Sequence, residues 1–170
     1  MSYSQDACAT FSNMLGTLDH LAGKAEQAAL GDDILAAKLA EDMFPLETQF
    51  RIAINQVILA LVRTCGIEMP LDETPYGSLG EVRERLGALR KLVEDAGQRG
   101  WIAVESEVDF TLPNAMRFVM SAGDYLRDWT LPNFYFHTAM AYALLRRDGL
   151  QIGKADFLPH MMRYARAPES

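Results

Sequence analysis

Histidine is scarce in this chain: His20, His137 and His160 are the whole complement. Imidazole is the side chain whose unperturbed charge change falls nearest neutral pH, and it is a frequent metal ligand. Acid–base or metal chemistry would therefore centre on one of these positions. His20 follows Leu18 and precedes Leu21 and Ala22 in a helical pattern that points those three inward, so His20 is expected to face water. His160 falls in a polar terminal stretch. His137 closes the run Asn133-Phe134-Tyr135-Phe136-His137, within a helical pattern that must be largely buried. Asn133 and His137 are four apart and share one helical face, a stripe that continues through Met140, Ala141 and Leu144. A polar pair on such a stripe needs partners, because a buried unsatisfied group costs about 1–3 kcal/mol. Spacing alone leaves two readings open: a small-molecule or metal pocket between helices, with His137 as general acid or base, or a core histidine bonded to Asn133 or a carbonyl.

Gln49, one turn into an earlier helix, is the polar residue best placed to meet that pair. Against this, Gln49, Gln56 and Arg63 are seven apart and could form a solvated stripe. Asp42 precedes the same helix and would either cap it or reach the pocket mouth. Trp129 and Tyr135 are the aromatic side chains expected nearby.

Other chemistries lack their signatures. There is no Gly-rich phosphate loop, no Gly-x-Ser-x-Gly elbow and no cysteine paired by motif with histidine. Cys8 and Cys65 have no metal or redox spacing and are expected to be free thiols. The formal net charge of -7 argues against nucleic acid and against docking on anionic lipid. The longest apolar run, around Val57–Val62, is too short to span a bilayer. Met1–Phe11 has neither a basic start nor an apolar h-region, so a cytoplasmic location is expected.

The elements that must position these residues follow from periodicity and punctuation. Phe11, Met14, Leu15, Leu18, Ala22 and Ala25 predict a first helix over about Ser4–Ala29, broken by Gly31-Asp32-Asp33. A second helix is predicted from Pro45 to Cys65, ended by Gly66. Thr74-Pro75 reads as the start of a third, whose Leu79, Val82, Leu86, Leu89, Val93 and Ala96 alternate spacings of three and four. Val108, Phe110 and Leu112, then Met116, Phe118 and Met120, follow the two-residue period of strands around a Pro113-Asn114 turn, predicting a hairpin. Ser121–Asp124 resembles a capping box opening a fourth helix to Arg147, with a kink or break expected at Pro132. Leu150–Leu158 is expected to be extended. The fold class predicted is all-α: a four-helix bundle with a small β-hairpin inserted before the last helix, one domain over 1–158 and a fraying polar tail over 159–170.

Two blocks of sequence resemble a known family. They are Leu39-Ala-Glu-Asp-Met-Phe-Pro-Leu46 with Gln49, and Leu131-Pro-Asn-Phe-Tyr-Phe-His137 followed by Ala141-Tyr142, Leu145-Arg146, Gly149, Ile152-Gly-Lys154 and Asp156-Phe-Leu158. The chain is similar to an uncharacterised domain-of-unknown-function family of bacterial and fungal proteins within the DinB-like metalloenzyme superfamily. That resemblance implies a DinB-like bundle that forms a homodimer. Better-known members bind a divalent metal through one histidine on helix two and an i, i+4 pair on the last helix. On this sequence the pair falls on Asn133 and His137, and the helix-two ligand near Gln49. Amide oxygens are poor ligands for zinc or nickel, so the three-histidine site is expected to be degenerate and tight zinc or nickel binding is not expected. The leading expectation is a small-molecule pocket lined by Gln49, Asn133 and His137, with Tyr135, Trp129 and Asp42 around it. A non-catalytic dimeric assembly protein, and a divalent-metal-dependent transferase or hydrolase, stay open beside it.

Overall fold

The fold described here is a computed structural model, covering residues 3–166. Four long helices carry it. Helix α1 (Tyr3–Gln27) is followed by a 3-10 turn (Asp32–Ala36), α2 (Leu46–Cys65) and α3 (Leu79–Ala96). The hairpin β1 (Glu107–Thr111) and β2 (Arg117–Ser121) precedes the last helical rod. This rod is continuous: α4 (Ala122–Asp124), a π-helical segment (Tyr125–Thr130) and α5 (Leu131–Arg147). A short α6 (Lys154–Phe157) and a 3-10 segment (Pro159–Tyr164) complete it.

Apolar stripes decide which helices pair. α1 packs chiefly on α3 and α2 on α5. The inward residues of all four, among them Phe11, Leu15, Phe50, Ile54, Val82, Leu89, Phe134 and Leu144, are 0–1% exposed and form one core. Phe11 meets Phe134 edge to face at 5.8 Å, tying the two pairs together. Among the described residues no helix is long and apolar enough to cross a membrane. Cys8 and Cys65 are free thiols, and burial pushes Cys8 up to about 11.

The ends of the helices show where sequence punctuation held. Gly66 adopts φ 65° and ψ 25° after α2, the left-handed geometry that glycine takes without a Cβ penalty. Ser121 caps α4 by accepting from the Asp124 N–H at 3.1 Å. α3 starts later than Thr74-Pro75 predicts. Its cap is Ser78, which accepts from Glu81 N–H at 3.1 Å, while Glu81 accepts from Gly77 N–H at 2.7 Å. Residues 72–76 are instead strapped to their neighbours: Tyr76 N–H donates to Glu47 Oε1 at 3.2 Å, and Arg85 clamps Asp72 through bonds of 2.7 and 2.9 Å.

The hairpin pairs Val108 with Met120 and Phe110 with Phe118 in antiparallel register. Two strands are marginal alone, and these lean on the π segment. Phe110 and Phe118 stack at 5.4 Å, and Trp129 packs on both at 5.1 and 5.0 Å. A Cβ on Gly123, where the hairpin meets α4, would stand 2.7 Å from Val104 Cγ2, so any larger residue would have to displace that side chain. The disturbance expected at Pro132 takes the form of π turns just before it. These accommodate the missing N–H without breaking the rod.

After α5 the chain departs from expectation. Leu150–Leu158 includes the helical turn α6, and Pro159–Tyr164 packs on α1 as a 3-10 segment. His20 holds α6 in place rather than simply facing water. Its Nε2 lies 2.9 Å from Asp156 Oδ1, and Lys24 Nζ lies 3.0 Å from the same oxygen. Asp156 also accepts from Gly153 N–H at 2.8 Å.

Candidate functional site

α2 and α5 run antiparallel, and their facing polar residues set the register. Near the start of α2, Gln49 Oε1 lies 2.8 Å from His137 Nδ1. Towards its end, Arg63 donates to the Tyr125 hydroxyl at 2.9 Å and lies over the Phe110 ring at 4.3 Å. Gln49, Gln56 and Arg63 therefore face the last helical rod and are not a solvated stripe. Seven residues on from Gln49 is Gln56, and seven back from His137 is Thr130, so these two fall at one level of the seam. Gln56 Oε1 and Thr130 Oγ1 are both buried with no hydrogen-bond partner among the described residues.

The Gln49–His137 contact fixes a proton. Gln49 Nε2 donates to the Phe44 carbonyl at 3.0 Å, so its amide cannot be flipped without setting two carbonyl oxygens against each other. Gln49 Oε1 then faces His137 as an acceptor, and His137 must carry its proton on Nδ1. The ring is 9% exposed, and Nε2, left with its lone pair, bonds to no described residue. Burial lowers the imidazole pKa from 6.5 to about 4, so the ring is neutral at pH 7. A base this weak takes little part in proton transfer near neutrality, but its free nitrogen accepts a hydrogen bond well. Phe136, 53% exposed, sets its ring edge to face with His137 at 5.2 Å.

The other expected site residues lie apart from this pair. Asn133 shares the face of His137, but its Nδ2 turns back onto the Trp129 carbonyl at 2.7 Å. Trp129 belongs to the hairpin contact. Tyr135, two residues before His137, points to the opposite side of α5 and is 41% exposed. Asp42 lies in an exposed turn and caps nothing, since the N-cap of α2 is Pro45. Phe44, whose carbonyl orients Gln49, carried no signal in the sequence beyond its place in the first family-like block.

This donor set does not fit a three-ligand metal centre. Gln49 is spent on His137 and Phe44, the Asn133 amide is turned to the main chain, and a single imidazole nitrogen remains. Among the described residues no group of three or more His, Cys, Asp or Glu side chains could hold an ion.

Comparison with known proteins gives the fold a family. The model of a domain of unknown function, DUF1993, matches residues 4–158. No curated protein matches the chain. Among solved structures, a DinB family member protein from Shewanella denitrificans superimposes with a TM-score of 0.73 at 26% identity, over 98% of this chain and 94% of that one. The bundle with its hairpin is thus a DinB-like fold.

Proposed function

This chain belongs to the DUF1993 family of unknown function, and we propose that it is a cytoplasmic small-molecule-binding protein built on a DinB-like bundle, with His137 Nε2 as the polar anchor of its ligand. One observation carries the reading. Gln49 and Phe44 fix the tautomer of His137, leaving an unprotonated, unbonded Nε2 on a neutral ring beside the exposed ring of Phe136. Such a nitrogen is complementary to a ligand's O–H or N–H donor, and the aromatic edge to an apolar body. Phenols have both. Gln49 acts as a positioning residue. The superfamily's three-histidine site is degenerate in this reading, and no step runs through a metal.

The test is a titration of phenol and p-cresol into 15N-labelled protein. The expected result is a saturable shift of the His137 Nε2 resonance and of neighbouring amides, with the amide shifts lost in His137→Phe. A shift unchanged in His137→Phe at neighbouring amides, or no shift of Nε2 in the wild type at millimolar phenol, contradicts the proposal.

A homodimer over the same end of the molecule is a second reading, supported by Phe44 and Phe136 at 58% and 53% exposure. Sedimentation equilibrium checks it: a dimer that Phe44→Ser with Phe136→Ser converts to monomer is expected, and a monomeric wild type contradicts it.

A further inference from the structure

A second cleft, of about 310 Å³, lies on the other helix pair, where α1, α3 and the terminal 3-10 segment meet. α1 contributes Ser12, Gly16 and His20 to it, α3 contributes Arg90, and the 3-10 segment contributes His160 and Arg163. No Asp or Glu lines it, in a chain whose formal charge is -7. The elements explain the convergence. Ser12, Gly16 and His20 are four apart along one face of α1. His160 and Arg163 are three apart in a 3-10 segment, whose three residues per turn put them on one side.

The chain contains its own control for Arg90. α1 and α3 run antiparallel, and two arginines seven apart on α3 lie on two glycines seven apart on α1. Arg83 lies over Gly23 and Arg90 over Gly16, with guanidinium carbons 3.2 and 3.5 Å from where a Cβ would stand. Arg83 is fully served: Asp19, four residues before Gly23, accepts at 2.9 Å, and Glu26, three after it, accepts at 2.6 Å. The residue four before Gly16 is Ser12, and three after it is Asp19, already spent on Arg83. Arg90 forms no ion pair with any described residue, and its Nε is buried with no partner. His160 Nδ1 is likewise buried without a partner. Arg163 lies over the Tyr164 ring at 4.8 Å and also pairs with no described carboxylate. His20, at one edge of the cleft, faces Asp156, and that carboxylate is held by His20, Lys24 and Gly153. A buried or half-buried guanidinium without a counter-ion is costly, and the anion that would offset it is not supplied by the described chain.

We propose that this cleft binds a phosphate group, seated against Arg90 and closed by Arg163 and His160. Guanidinium forks match phosphate oxygens bidentately. The volume sits at the small end of ligand clefts, which suits a phosphate with a small organic body. The site is separate from His137 and does not rest on the reading given for it.

Calorimetric and thermal-shift titrations at constant ionic strength test the proposal, with inorganic phosphate, glycerol phosphate and acetate as probes. The wild type is expected to bind phosphate or its ester and to gain melting temperature with either. Tighter binding of the ester identifies an organic phosphate as ligand, and tighter binding of the ion identifies free phosphate. Arg90→Met should lose at least tenfold in affinity while melting no lower than wild type without phosphate, Arg90→Lys should fall between, and Arg83→Met should keep wild-type affinity. No binding by the wild type, an equal response to acetate, or equal losses in Arg83→Met and Arg90→Met would overturn the proposal.

Discussion

The two helix pairs of the bundle treat inward polar groups in opposite ways. Between α2 and α5, polar side chains are matched across the seam: Gln49 with His137, and Arg63 with Tyr125. Between α1 and α3, the same seven-residue repeat gives one arginine two carboxylates and the next none. Matched groups fix a register and hold a tautomer. An unmatched cation beside a cleft is complementary to something outside the described chain. Polar residues at core level thus divide into those that specify the fold and those that await a partner, and only the pairing tells them apart.

Breaking the matched seam should have the largest effect. His137→Ala removes packing and strands Gln49 Oε1, at roughly 3 kcal/mol, and chemical denaturation should register it as a lower midpoint at unchanged slope. The same residue sets a pH dependence. Its folded pKa of about 4 lies below the ordinary 6.5, so the unfolded chain binds the extra proton first. Stability is therefore full above about pH 6.5, falls as pH drops towards 4 and levels off below, by roughly 3 kcal/mol at most. His137→Gln should flatten that part of the profile.

Smaller effects belong to the other pair. Arg83 is partly exposed, so Arg83→Met should lower stability by only about 0.5 kcal/mol, whereas Arg90→Met should leave it unchanged or raised, both read by thermal melting at low salt. The smallest effect is local. Hydrogen bonds from His20, from Gly153 N–H and from Lys24 hold the Asp156 carboxyl well below the usual carboxylate range, so these contacts survive mild acid. Asp156→Asn should speed amide exchange over 154–164 and leave the four long helices protected. Uniform exchange across the chain would show that α6 is not a separate, weakly held unit.

Much of the fold was legible because single residues punctuate it. Gly66, Ser121 and the period change at Val108–Met120 each specify a local geometry that tertiary contacts do not override. Thr74-Pro75 is a sound local start for α3, yet the helix begins behind Ser78, because Glu47 and Arg85 grip residues 72–76. The site was half legible. Shared spacing and one well-placed amide bring Gln49 to His137. That the Asn133 amide would turn back onto the Trp129 carbonyl, four residues earlier, leaves no mark in the spacing that pairs it with His137. The Arg90 cleft was illegible because its argument needs the α1–α3 register and the docking of His160 and Arg163, both long-range facts.

The central claim is that burial keeps the His137 ring neutral while Gln49 fixes its proton on Nδ1 and leaves Nε2 free, and histidine side-chain 15N NMR measures it directly. At pH 7 the account predicts a single neutral tautomer protonated on Nδ1, staying neutral down to about pH 5, with Gln49→Leu releasing the tautomer to a mixture. A proton on Nε2, or an imidazolium at pH 7, would contradict it.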